Sequence, residues 1–182
     1  MTADVRFQRE IAHIPRLQKL LDADSVLPLR LEFERQSLDL RRSRITLRGI
    51  KCIIGEPGLM RGADANDFTI TLAVPPEYPW SRIPDIRFVG NVPFHPHVWS
   101  HGGICWGTAN TPQPDLMLVD WLVRIVEYLQ FNQSSLIGIN TTSPANGAAM
   151  RWWQRHARDI ARYVPPIDLA RLRFWADQAK LS

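Results

Sequence analysis

Between Leu29 and Gly90 the apolar residues fall on every second position: Leu29, Leu31 and Phe33, then Ile45 and Leu47, then Phe68, Ile70, Leu72 and Val74. A period of two puts one set of side chains on one face of a sheet and leaves the charged and hydroxylated residues between them on the other. This stretch therefore commits the chain to a sheet with one covered face. Gly49, the run Gly55-Glu56-Pro57-Gly58 and the polar segment 61–66 cut it into pieces, and connections this short join antiparallel neighbours. The pattern predicts a meander of about four strands that ends at Ile86-Arg87-Phe88-Val89. Pro75, Pro76, Pro79 and Pro84 mark an extended link into the last strand, since each removes a ladder donor and blocks a helix.

Outside this region the period changes. Ile11, Ile14, Leu17, Leu20 and Leu21 predict a short N-terminal helix, with Pro15 at a boundary or a kink. Leu118, Leu122, Ile125, Val126 and Leu129 form a strongly apolar stripe, and 145–156 and 168–180 predict two further helices, the last capped by Asp168. A helix, then four strands, then helices is an α+β plan in which helices cover one sheet face. With 182 residues, 45% of them hydrophobic, there is enough chain for one core, and 1–182 is read as a single domain.

The formal charge of +4 and a pI near 9.5 would suit an acidic partner, but the arginines are scattered and no nucleic-acid motif accompanies them. Segment 1–21 is interrupted by Asp4, Arg6, Arg9, Glu10, His13, Arg16 and Lys19, so it reads as neither a signal peptide nor a membrane span. Cys52 and Cys105 are the two cysteines, too few for a disulfide framework. A reducing, cytoplasmic setting is expected.

The chemistry is concentrated in His95-Pro96-His97-Val98-Trp99-Ser100-His101-Gly102-Gly103-Ile104-Cys105, between the last strand and the long helix. Such a loop can hold a reactive thiol, a metal ion or both. His95, His97, His101 and Cys105 form an H-x-H-x3-H-x3-C cluster that would make a zinc-binding, hydrolase-like site, with water as nucleophile at an open position. Its spacing matches none of the common zinc motifs, and Pro96 restricts the backbone. Cys52, inside Ile50-Lys51-Cys52-Ile53-Ile54, is accounted for by strand periodicity as a small buried side chain, whereas Cys105 follows two glycines in a polar loop and is the candidate nucleophile.

The element order, Tyr78-Pro79-Trp80-Ser81-Arg82-Ile83-Pro84, His95-Pro96 and the ending Gly102-Gly103-Ile104-Cys105 together resemble the ubiquitin-conjugating enzyme family over roughly 10–160. In that family a His-Pro-Asn triplet precedes the catalytic cysteine, which follows its histidine by ten positions; here Cys105 follows His95 by ten. The chain is most similar to compact, divergent bacterial members. Those tend to be encoded beside an activating enzyme, a ubiquitin-like protein and a deconjugating peptidase, often in antiviral defence loci.

The resemblance implies a carrier reaction. An activating enzyme, which consumes the ATP, would deliver a ubiquitin-like protein to Cys105 as a thioester, and an amine of a protein target would then take it; no cofactor is implied for the carrier itself. His95 would shape the loop with Pro96. The asparagine that supports the loop and the oxyanion is replaced by His97, whose imidazole can donate a hydrogen bond to developing negative charge. A His-Pro-His triplet also resembles the subfamily that modifies α-amino groups of protein N-termini. His101 reads as a solvated loop residue. Ser143 stands where many members carry an acidic residue, and Asp115 is the nearest carboxylate that could orient the amine, with turn formation as its other reading. Trp80 occupies the place of a ligase-contacting aromatic or else caps the core. Trp106 would cover apolar surface beside the cysteine and meet a partner there, while Trp152 and Trp153 read as packing residues. A non-catalytic module that binds a ubiquitin-like protein is the remaining alternative, and the retained thiol argues against it.

Overall fold

The computed structural model describes residues 2–36, 39–55, 64–106, 111–131 and 144–181. Helix α1 (Ala3–Ala23) starts at Thr2, whose hydroxyl accepts from the Val5 N–H. It buries Phe7, Ile11, Ile14, Leu17 and Leu21 along one stripe. The helix is longer than the short element expected, and Pro15 lies inside it rather than at an end. An interior proline forfeits the bond to the carbonyl four residues back, at a cost of roughly 3 kcal/mol. Apolar anchors on both sides, Ile11 and Ile14 before it and Leu17 and Leu21 after it, hold the helix through that gap.

Strands β1 (Arg30–Arg35), β2 (Arg42–Ile53), β3 (Asp64–Ala73) and β4 (Asp85–Val89) form an antiparallel sheet in the order β1-β2-β3-β4. The registers Leu31↔Leu47, Ile45↔Ile70, Leu47↔Phe68, Ile70↔Phe88 and Leu72↔Ile86 gather the alternating apolar residues on one face. The other face carries Arg48, which pairs with Glu32 at 2.7 Å and Asp67 at 3.1 Å. The β2–β3 register shifts between Arg48 and Cys52, where Gly49 takes φ +74° and a Cβ would stand 2.2 Å from the Pro28 carbonyl oxygen. Strand β3 begins at Asp64, so Ala65 and Asn66 join the ladder instead of the preceding polar turn, whose remainder lies outside the described residues.

Helices α2 (Leu118–Leu129), α3 (Gly147–His156) and α4 (Leu169–Lys180) follow, with a 3-10 turn at Ala157–Arg162. Asn146 and Asp168 cap α3 and α4 by accepting from the Ala149 and Arg171 N–H groups. Helix α1 packs on β1, α2 and α4. No helix among the described residues is long and apolar enough to cross a membrane.

A buried carboxylate ties three of these elements together. Glu10 is 1% exposed; it accepts from the Arg6 Nε at 2.5 Å, the Tyr78 hydroxyl at 2.7 Å and the Leu118 N–H at 2.9 Å. Met117 at the α2 N-cap has no side-chain oxygen to offer; Asp120 of the first turn accepts from the Met117 N–H at 2.8 Å, and Glu10 of α1 adds a second anion at the Leu118 N–H. At the other end of α1, Asp24 accepts from the Val26 and Leu27 N–H groups and from Arg171 and Trp175 of α4. The Arg171 bond, then the backbone and Trp175 donors, hold its carboxyl well below the usual range against burial.

Glu10→Ala is expected to lower unfolding stability by about 3 kcal/mol, because it strands the Arg6 guanidinium and leaves the Leu118 N–H without its acceptor. Urea denaturation at neutral pH measures this.

Candidate active site

The loop 91–106 leaves β4 and folds back against it. Phe88 donates its N–H to the Gly102 carbonyl at 2.9 Å, and Arg87 bridges Gly103 in antiparallel fashion. This contact demands glycine: Gly102 has φ +84°, and a Cβ there would lie 2.1 Å from the Phe88 carbonyl oxygen. The turn is closed by Gly102 N–H to Trp99 O at 2.8 Å and Trp99 N–H to Gly103 O at 2.9 Å. Val98 then bridges Ile104, and Cys105 donates its N–H to the His97 carbonyl at 2.7 Å. A narrow hairpin thus fixes the cysteine backbone opposite His97.

Beneath the hairpin is a stack of rings. His95 is fully buried, with its Nδ1 accepting from the His97 N–H at 3.1 Å. Its ring lies 5.3 Å from Tyr128 at 15° and 5.7 Å from His97 at 28°, and Phe131 closes the other side at 4.7 Å. His97 stacks on Tyr128 at 5.3 Å and 14°. Burial lowers the pKa of both imidazoles, the neighbouring His97 adding to the effect at His95, while a hydrogen bond with the Cys105 backbone acts against it at His97. Both rings are neutral at physiological pH, and the Nε2 atoms of both are buried with no hydrogen-bond partner among the described residues. Pro96 anchors the far side by accepting from the Asn146 N–H at 3.1 Å, so the α3 N-cap and the loop hold each other.

The two thiols have opposite surroundings. Cys52 is fully buried in β2, and burial pushes its pKa up to about 12. Cys105 is half-buried, and its neighbours Ile104 and Trp106 line a cleft of about 450 Å³. Of the two thiols, the half-buried Cys105 is the one a reagent can reach, and its backbone is fixed by the hairpin.

The remaining predicted residues are scattered. His101 lies away from the buried pair and stacks on Trp99, ring centroids 5.9 Å apart at 19°. No group of three His, Cys, Asp or Glu side chains among the described residues is placed to hold a metal. The two buried imidazoles are turned into an aromatic stack, and the third is out in solvent. Trp106 is 6% exposed and wedged 4.9 Å from Trp121 and 5.4 Å from Tyr128, so most of its surface lies inside the core and only a small part reaches the cleft. Asp115 also moves, because Arg6 donates to the Pro114 and Leu116 carbonyls and draws this turn onto α1. Asp115 there lines a separate cleft with Arg6, Arg9 and Glu10, and no hydrogen bond or ion pair among the described residues joins it to Cys105. Trp80 is 55% exposed with the Arg6 guanidinium 5.4 Å over its ring, which excludes the core-cap reading. Trp152 is buried against Phe94 and Phe131, and Ser143 lies outside the described residues. Tyr128, which roofs both histidines, escaped the sequence reading, since within an apolar helical stripe it looks like any other core aromatic.

No protein-family model matches the chain. Over 108 residues it is 26% identical to a ubiquitin-conjugating enzyme E2 W of Caenorhabditis elegans, a match covering 56% of this chain and 69% of that protein. A crystal structure of a ubiquitin-conjugating enzyme E2 from Plasmodium falciparum aligns with 70% of this chain and 84% of its own, at 22% identity and a TM-score of 0.46. The sequence match and the order of elements support a relationship to the ubiquitin-conjugating enzymes, and the chain has an α+β fold.

The buried histidines give a pH dependence with a definite sign. An unfolded imidazole takes up a proton near pH 6.5, whereas folded His95 and His97 resist it, so the unfolded state binds more protons as the pH falls. Their stabilising contribution is complete above about pH 6.5 and is lost progressively below it, with a slope of up to about 1.4 kcal/mol per pH unit from His95. Urea midpoints at pH 7.5 and pH 5.0 should show this fall, and His95→Gln, although less stable at pH 7.5, should show a smaller one.

Proposed function

We propose that this chain is a carrier that accepts a ubiquitin-like protein from an activating enzyme as a thioester on Cys105 and passes it to an amine of a protein target. The observation that carries the reading is the contrast between the thiols: Cys105 is half-buried on a clamped loop, and Cys52 is sealed in the sheet. The sequence relationship to a ubiquitin-conjugating enzyme supports it. Two free thiols also suit a reducing compartment.

In loading, the Cys105 thiolate attacks the carbonyl carbon of the incoming thioester, and the activating enzyme's sulfur leaves as a thiolate. In discharge, the target amine attacks the Cys105 thioester carbonyl; the new C–N bond forms, the C–S bond breaks, and the amine gives up its proton as the Cys105 thiolate departs. Both steps pass through a tetrahedral oxyanion. A neutral imidazole is a hydrogen-bond donor through one ring nitrogen, and His97 sits across the hairpin from Cys105, which gives it the role of supporting that oxyanion or the loop. Trp80, with Arg6 behind it, serves in this reading as a contact for a partner protein.

Mixing the protein with an activating enzyme, a ubiquitin-like protein and ATP should give a thiol-sensitive adduct on gels. Cys105→Ala should abolish it and Cys52→Ala should leave it; an adduct that survives loss of Cys105 overturns the reading. His97→Ala should slow discharge to amine about tenfold or more while loading slows less. Equal slowing of the two steps assigns His97 to loop structure alone.

A further inference from the structure

An acyl group on Cys105 needs a hydrogen-bond donor for its oxygen, and the surroundings of His97 do not leave one free there. The His97 Nε2 is sealed from solvent with no partner among the described residues, and the ring bonds to the Cys105 backbone. Neither nitrogen is open to a group carried on the sulfur. The ring stacked on His97 is placed differently. Tyr128 lies 5.3 Å from His97 at 14° and 5.4 Å from Trp106 at 35°. His97 is bonded across the hairpin to Cys105 and Trp106 follows Cys105 in the chain, so the Tyr128 ring is pinned by neighbours of the thiol on two sides.

The Tyr128 hydroxyl itself is uncommitted. A core tyrosine ordinarily finds a partner for its hydroxyl, but this one bonds to no described residue. It is also absent from the polar atoms that are sealed from solvent without a partner, so the hydroxyl is open although the residue is only 7% exposed. Burial, more than the opposing Arg124 charge, pushes its pKa up to about 12, and the Cys105 thiolate adds to the rise through space. The group therefore keeps its proton at neutral pH and lies close enough to the sulfur to feel its charge.

From this arrangement we infer that Tyr128 is a further catalytic residue: its hydroxyl donates a hydrogen bond to the oxygen of the Cys105-bound acyl group as that oxygen becomes negative. His97 braces the ring that carries the donor, so a loss at His97 reaches the reaction through Tyr128. This rests on the thioester reading above and moves its oxyanion donor from the loop to α2. In discharge the amine nitrogen bonds to the carbonyl carbon, and the C=O electron pair moves onto the oxygen, where the Tyr128 O–H meets it and retains its proton. The pair then returns, the C–S bond breaks, Cys105 leaves as a thiolate and the proton of the amine passes to water.

The test uses the full chain and no partner protein. Cys105 is charged by exchange with an acetyl-Gly-Gly thioester of mercaptoethanesulfonate, which departs as its thiolate, and glycinamide then discharges it; mass spectrometry follows both steps. In parallel the thiol is alkylated with iodoacetamide, a displacement at saturated carbon that forms no oxyanion. Tyr128→Phe keeps the stacked ring and should slow charging and discharge about tenfold or more, as expected for loss of one oxyanion donor, while alkylation slows less than about twofold. Acyl-transfer rates equal to those of the unsubstituted protein, or a fall matched by an equal fall in alkylation, overturn the inference and leave the thioester reading standing. An unsubstituted Cys105 that reacts with iodoacetamide but accepts no acyl group overturns the thioester reading itself.

Discussion

The Glu10 carboxylate is the constraint on which the arrangement of the helices depends. An anion taken out of water must be met by donors, and here they come from three places in the sequence: the Arg6 side chain of the same helix, the Tyr78 hydroxyl of the proline-rich link, and the Leu118 N–H at the start of α2. No two of these can shift independently. With α2 docked through its N-terminus, Tyr128 near its other end comes to lie over His95 and His97, and the loop 91–106 acquires its ceiling. The position of the thiol is thus traceable to the Arg6–Glu10 ion pair on the first helix, far from it in sequence.

The fold was largely legible because it follows from periodicity. Two-residue alternation placed the four strands, and the stripe from Leu118 to Leu129 and the cap at Asp168 placed two helices with their boundaries. Where the reading departed from the structure, a local rule had been outweighed by packing. Pro15 breaks a helix in isolation, but here the helix has a core to rest on along both halves. The site was legible as one short loop that gathers three histidines, the glycine pair and Cys105, because spacing along the chain is something a sequence contains; the hairpin it forms was not. Side-chain destinations were not. Asp115 is drawn off by Arg6, a residue more than a hundred positions away in sequence, and Trp106 turns inward to meet Trp121. Both outcomes are decided by long-range partners that no local pattern announces.

The three imidazoles of the loop show how one residue type is divided by burial. His95 and His97 are stripped of water and pressed against Tyr128, which removes their charge and their availability to a metal. What remains at His97 is a neutral donor–acceptor ring next to the Cys105 backbone, a weaker base than a solvated imidazole. His101, a few residues on, is left to the surface with Trp99.

The pressing of Gly102 onto Phe88 decides how the protein can hold another polypeptide at this edge. The outer strand of a sheet ordinarily invites a further strand to zip onto its free amides. On β4 the Phe88 N–H is already taken by the Gly102 carbonyl, and Gly103 occupies the place opposite Arg87. At these two residues the ladder is closed to a second polypeptide, and any contact with one there falls to side chains.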